Sequence, residues 1–293
     1  MSLLRLLSKL PLPSLHRLGT ALYFIAGRLL RWRRALALRN LAPAFPDKSE
    51  RELAAILDQS YRNLGDLVAE IIWAGGASRA ELGERVVVEN ADLINDETRA
   101  GRSVLLMTAH FCNWEWQVLA GNLHLDRPMS PVYKPQRVGA IDRFLRETRS
   151  RFGGEPIPHK KLTRVLLRRR SEAQVYAMVA DQTPTVDEPK HWSRFLNRDT
   201  AFFVGADAIA RILQAPVFFV RMRRVERGRY VMSVSKLTAP PYPKGESTHV
   251  IERYVRALED EVRASPADWL WIHNKWKYTR PAPSAKDASA LSR

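Results

Sequence analysis

Two residues that can exchange protons stand five apart in the stretch Leu105-Leu106-Met107-Thr108-Ala109-His110-Phe111-Cys112-Asn113-Trp114-Glu115-Trp116. An imidazole beside a carboxylate is the elementary kit of general-base catalysis. The carboxylate fixes the tautomer of one ring nitrogen and leaves the other to take a proton. On one continuous helix, five residues span about 500°, so the two side chains would diverge by about 140°. His110 and Glu115 can meet only if the histidine lies in a loop and the glutamate in the first helical turn. The flanking pattern supplies that arrangement. Val104 to Met107 is an uninterrupted apolar run that reads as a buried strand. Glu115 to Leu123 reads as a helix, with Trp116, Leu119 and Leu123 at helical spacing. His110 therefore falls in the crevice between a strand end and a helix start, where open α/β sheets carry ligands. The helix N-terminus is expected to offer N–H groups to an oxyanion.

Strands and helices alternate through the rest of the chain, with polar residues just past the strand ends: His110, Lys134 and Asp181. That pattern predicts an α/β fold with a mostly parallel central sheet flanked by helices. Predicted strands cover residues 85–89, 104–107, 129–133, 175–179 and 216–222, with 230–234 pairing as a hairpin or edge. Predicted helices include 92–100, 141–152, 162–170, 206–213 and 250–264, while 183–200 reads as loop. Ser49-Glu50-Arg51-Glu52 is a capping box that starts a helix running to about Ala74, stopped by Gly75-Gly76. The chain divides into an N-terminal apolar and basic helical region (1–46), an α/β domain (47–281) and a disordered tail (282–293).

Of the 293 residues 45% are apolar, enough for a substantial core, and the net charge is +16. Such a surface suits anionic lipid, nucleic acid or an acidic protein. Leu18 to Gly27 is uncharged and bracketed by Arg17 and Arg28. Ten residues are half of the roughly 20 a spanning helix needs, so this segment reads as an amphipathic or shallowly inserted helix. A single cysteine, Cys112, excludes an internal disulfide framework and reads as a small packed residue, not a nucleophile. No metal-ligand spacing, Gly-rich phosphate loop or nucleic-acid recognition motif is present, so neither a metal, a cofactor nor a nucleic-acid partner is expected.

Taken together, six blocks in order resemble the lipid A biosynthesis lauroyl/myristoyl acyltransferase family of the lysophospholipid acyltransferase superfamily, over about Gly19 to Pro281. They are Arg39-Asn40-Leu41 with Ala44-Phe45-Pro46, Tyr61-Arg62-Asn63-Leu64-Gly65, Thr108-Ala109-His110 with Asn113-Trp114-Glu115, Tyr133-Lys134-Pro135, Asp181-Gln182, and the segment from Ser265 to His273 leading into Trp276-Lys277 and Thr279-Arg280-Pro281. The resemblance implies an acyltransferase that moves a fatty acyl chain from an acyl-carrier-protein thioester to a hydroxyl of a lipid A precursor or related glycolipid. It places that reaction at the cytoplasmic face of the inner membrane. It implies His110 as general base oriented by Glu115, with Arg149 and Asp181 as further catalytic residues and Lys134, Asn113 and Gln182 at the substrate. Arg149 is expected to hold the oxyanion, and Asp181 to orient an arginine or a substrate hydroxyl. Lys134 where the family has arginine, Cys112 where glycine is common, Phe202-Phe203-Val204 before Gly205 and the additional Tyr278 bear on the acceptor, so another glycolipid or an aminolipid stands as an alternative. A thioesterase, a non-catalytic membrane scaffold and a basic nucleic-acid-binding protein are the competing readings.

Overall fold

The computed structural model describes residues 3–242 and 248–281, so the tail expected at 282–293 lies outside the described residues. The chain opens with short helix α1 (Leu3–Leu7) and α2 (Leu12–Leu22), which continues as a π-helix over Tyr23–Leu29. Helices α3 (Arg34–Ala44) and α4 (Glu50–Ala74) follow. Ser49 and Glu52 close the expected capping box, and the α4 face carrying Leu53, Leu57 and Tyr61 is buried. Gly65 on α4 has a purpose that its block did not reveal. A Cβ there would lie 2.3 Å from the Gly19 carbonyl of α2, so the two helices cross backbone to backbone.

A short α5 (Arg79–Gly83) leads into the alternating part: β1 (Val86–Glu89), α6 (Asp92–Arg99), β2 (Val104–Thr108), α7 (Trp114–His124), β3 (Met129–Tyr133), α8 (Gly139–Arg149), β4 (Ile157–Pro158), α9 (Leu162–Arg168) and β5 (Val175–Val179). Then come β6 (Lys190–Phe195), β7 (Arg198–Phe203), α10 (Gly205–Leu213), β8 (Val217–Glu226), β9 (Arg229–Thr238) and α11 (His249–Ala264). Among the described residues one sheet has the order β1-β9-β8-β2-β5-β3-β4. Its neighbours run parallel except for the β8–β9 hairpin. Strand β2 lies inside it, paired to β5 and β8, and every one of its residues is buried. That accounts for its continuous apolar run, since a parallel strand covered on both faces has no polar side to show. The expected α/β architecture is thus the observed one.

The segment 183–200, expected as loop, instead forms most of an antiparallel hairpin, β6–β7. Its turn is Leu196-Asn197, both at positive φ (49° and 65°), as a tight two-residue hairpin connection demands. Lys190, His191 and Arg194 obscure the strand alternation on β6, and Leu-Asn is a weak turn signal beside Asn-Gly. Among the described residues no helix is long and apolar enough to cross a membrane.

Candidate active site

The site follows from strand register. Thr108 ends β2 opposite Val179, which ends the adjacent parallel β5, and the Ala180 N–H donates to the Thr108 carbonyl. Two residues beyond each strand end stand His110 and Asp181, so parallel pairing delivers the imidazole and the carboxylate to one place. His110 Nδ1 lies 2.8 Å from Asp181 Oδ1. The other carboxylate oxygen accepts the Trp269 indole N–H at 2.9 Å. Asp181 is buried, at 3% exposure. Burial pushes its carboxyl up, but the His110 charge and hydrogen bond, the Trp269 N–H and the Lys275 ammonium outweigh that and hold it at about 2. An ionised carboxylate only accepts, so Nδ1 is the donor and Nε2 carries the lone pair. Nε2 meets the Gln182 side-chain amide at 3.2 Å.

The loop bearing His110 is strapped from outside. Phe111 bridges Trp269 in antiparallel fashion, the Cys112 N–H donates to the Asp268 carbonyl, and the Leu270 N–H donates to the His110 carbonyl. Cys112 takes φ +50°, an uncommon conformation for a non-glycine residue. Its thiol is buried, and burial followed by the Asp268 charge pushes its pKa well up, in keeping with a packed residue. Behind this strap lies Lys275, 1% exposed, which donates to the carbonyls of Ala201 (3.0 Å) and Gln182 (3.4 Å). Burial pushes its ammonium down to about 7 against the attraction of Asp181.

Glu115 occupies the first turn of α7, as expected, but its partner differs from the expectation. Both of its oxygens are taken by Arg149, Nε to Oε2 at 2.8 Å and Nη2 to Oε1 at 2.6 Å. The carboxylate that meets His110 is Asp181, because β2 and β5 are neighbours and a bidentate guanidinium claims Glu115. Asp181 therefore meets the imidazole and the Trp269 indole, where an arginine or a substrate hydroxyl was expected. Arg149 stacks its guanidinium 5.4 Å from the Tyr133 ring centre, and its Nη1 makes no hydrogen bond among the described residues.

A groove of about 590 Å³ opens over this constellation. His110, Glu115 and Arg149 line it with Lys134 and Gln182, two of the residues expected at the substrate, while Val138 and Ile141 supply an exposed apolar lip. Asn113, the third, does not reach the groove. It is 0% exposed, caps α7 by accepting the Trp116 N–H, and donates to Glu70 at 2.7 Å. Its cap also consumes an N–H that the helix terminus was expected to offer an oxyanion. Glu70 itself, fully buried, gathers His16, Asn113 and Tyr230 around its carboxylate. Glu70 did not stand out in the sequence, and Trp269 did so only as part of the Ser265 to His273 block, with no link to Asp181. A glutamate on the apolar face of α4 was the available signal for the first, and the tryptophan-rich block for the second. Among the described residues no group of His, Cys, Asp and Glu could hold a metal ion.

A histidine held by a buried carboxylate at the strand ends of a parallel sheet, beside a groove of about 590 Å³, is an arrangement suited to drawing a proton from a bound hydroxyl. The chain belongs to the bacterial lipid A biosynthesis acyltransferase family, whose model matches residues 1–278. It is similar to a lipid A biosynthesis palmitoleoyltransferase of Escherichia coli K12, at 26% identity over 282 residues, covering 93% of this chain and 88% of the relative. It is as similar to that organism's lipid A biosynthesis lauroyltransferase, at 26% identity over 94% of this chain and 89% of the relative. A lipid A biosynthesis acyltransferase of Haemophilus influenzae is 24% identical over 93% of this chain and 86% of its own length.

Proposed function

We propose that this acyltransferase moves a fatty acyl chain from an acyl-carrier-protein thioester to a hydroxyl of a lipid A precursor or related glycolipid. The observation that carries the reading is the His110–Asp181 pair at 2.8 Å with the Nε2 edge facing the groove. An alcohol is a poor nucleophile until its proton is drawn off during attack, a contribution of about 10²–10⁴-fold from a positioned base. His110 Nε2 takes that proton, and Asp181 stabilises the resulting imidazolium. Attack on the thioester carbonyl gives a tetrahedral oxyanion. The Nη1 edge of Arg149, held by Glu115 and Tyr133, is the fixed positive donor available to it. Collapse expels the thiolate, which takes the proton back from His110. No acyl-enzyme is needed, consistent with a buried Cys112.

The donor's identity rests on charge. Arg137 lines the groove and Arg143 and Arg146 are exposed on α8, which suits an acidic carrier. Exposed Leu3, Leu6, Leu18, Phe24 and Leu29 in the N-terminal helices support seating on the cytoplasmic face of the inner membrane, with the neighbouring arginines at anionic head groups. The test is acyl transfer from purified acyl-carrier protein with and without a hydroxylated lipid A precursor, followed by lipid mass spectrometry. Appearance of the acceptor plus one acyl group supports the reading. Acyl release at the same rate without acceptor makes the protein a thioesterase and ends it.

A further inference from the structure

Away from the groove, α2, α4 and the outer end of the β8–β9 hairpin enclose a second cavity of about 300 Å³. Among the described residues its lining holds three guanidinium groups, Arg62, Arg224 and Arg227, against one carboxylate, Asp66. That carboxylate is already committed. Asp66 Oδ1 accepts from Nε and Nη2 of Arg227 at 2.8 and 2.5 Å, and Arg227 also donates to Thr20. Arg224 is left with weaker partners. It lies 3.8 Å from Asp66 and 3.5 Å from Asp268, and its Nε and Nη1 are sealed from water without a hydrogen bond among the described residues. Its side chain keeps 15% exposure, it lines the cavity, and its guanidinium lies 5.1 Å from the Tyr230 ring centre. Arg62, also in the lining, is 47% exposed, donates through Nε and Nη2 to Asp58 at 3.3 and 3.2 Å, and lies 4.6 Å from the Tyr23 ring centre. The lining thus carries three guanidinium groups and one carboxylate, with Asp58 and Asp268 pairing Arg62 and Arg224 from behind it, and planar guanidinium groups around one space match the oxygens of a phosphate.

The surroundings say where such a phosphate would come from. Helix α2 contributes Thr20 to the lining and exposes Leu18 and Leu22, and the π-helix after it exposes Phe24 and Ile25. Exposed apolar side chains on the same helical segment as the cationic hollow fit the headgroup level of a membrane. The cavity is also linked to the catalytic loop through Asp268. Asn63, in its lining, donates to Asp268 Oδ1 at 2.8 Å, and the Asp268 carbonyl accepts the Cys112 N–H two residues from His110.

We propose that this cavity is a phosphate-binding site, separate from the acyl-transfer groove, that takes the phosphate group of an anionic ligand. Its sources are a lipid headgroup or free phosphate. The test is titration of the full chain in neutral detergent with short-chain phosphatidic acid, the matching diacylglycerol and inorganic phosphate. Phosphatidic acid binds and diacylglycerol does not. Binding weakens at least ten-fold in Arg224→Gln and in Arg62→Gln, about 1.4 kcal/mol each. The groove variant Lys134→Gln binds as the parent does. Phosphatidic acid at least ten-fold tighter than inorganic phosphate makes the ligand a lipid; equal affinity makes it free phosphate. Should Arg224→Gln fail to fold, the exposed Arg62→Gln decides. The proposal is overturned if both arginine variants (or Arg62→Gln alone, where the other does not fold) bind within two-fold of the parent, or if Lys134→Gln is the change that abolishes binding.

Discussion

Asp181→Asn separates the two carboxylates that compete for His110. In the parent, one Asp181 oxygen receives His110 Nδ1 and the other receives the Trp269 N–H. An asparagine has a single acceptor oxygen for these two donors. If that oxygen serves Trp269, the side-chain NH₂ faces Nδ1. Nδ1 must then accept, Nε2 becomes protonated, and the base is gone. If the amide is turned over, Nδ1–H keeps its acceptor but the NH₂ opposes the Trp269 N–H. Two buried donors then face each other, at roughly 1–3 kcal/mol for each unpaired group. The competent arrangement is disfavoured by about 2–6 kcal/mol, or a factor of roughly 30 to 10⁴ at 1.4 kcal/mol per decade. Loss of the charge that stabilises the imidazolium adds to this, so kcat should fall about 10³–10⁴-fold. The assay is acyl transfer at saturating donor and acceptor, with circular dichroism to verify folding. A carboxyl held at about 2 is ionised throughout the working range, so the Asp181 charge is present at every pH of the assay. A kcat within ten-fold of the parent in Asp181→Asn, with Glu115→Gln abolishing turnover instead, would return the orienting role to Glu115 and refute the register argument.

Glu115→Gln breaks a bidentate pair whose partners are 13% and 7% exposed, leaving the Arg149 charge without a counter-ion. Unfolding by urea should show a loss of about 3 kcal/mol, with a rise in KM for the acyl donor. Lys275 is buried with an ammonium lowered from 10.5 to about 7, so between those values the unfolded chain binds the extra proton and stability rises with pH. Lys275→Met should remove that rise, seen as a flatter Tm between pH 7 and 10 than in the parent; an unchanged slope contradicts the assignment. Gly65→Ala drives a methyl to 2.3 Å from the Gly19 carbonyl, and its melting curve should reveal a loss of about 1–3 kcal/mol as α2 is pushed off α4.

Features carried by near neighbours in the chain were legible before any coordinates. The apolar run of β2, the capping box at Ser49, the stop at Gly75-Gly76 and the loop position of His110 all depend on residues within a few positions of one another. The class of chemistry was legible for the same reason, because the blocks around His110, Lys134 and Asp181 follow strand ends in order. Pairing was not. Asp181 is 71 residues from His110, and the two meet because β2 and β5 are adjacent and in register. Arg149, 34 residues from Glu115, takes the carboxylate that sequence proximity had assigned to the histidine. The β6–β7 hairpin was hidden because its strands carry charges where alternation would show. Which donor faces which acceptor is thus decided by strand order and by competition among side chains for a limited number of lone pairs, and both come into being when the sheet assembles.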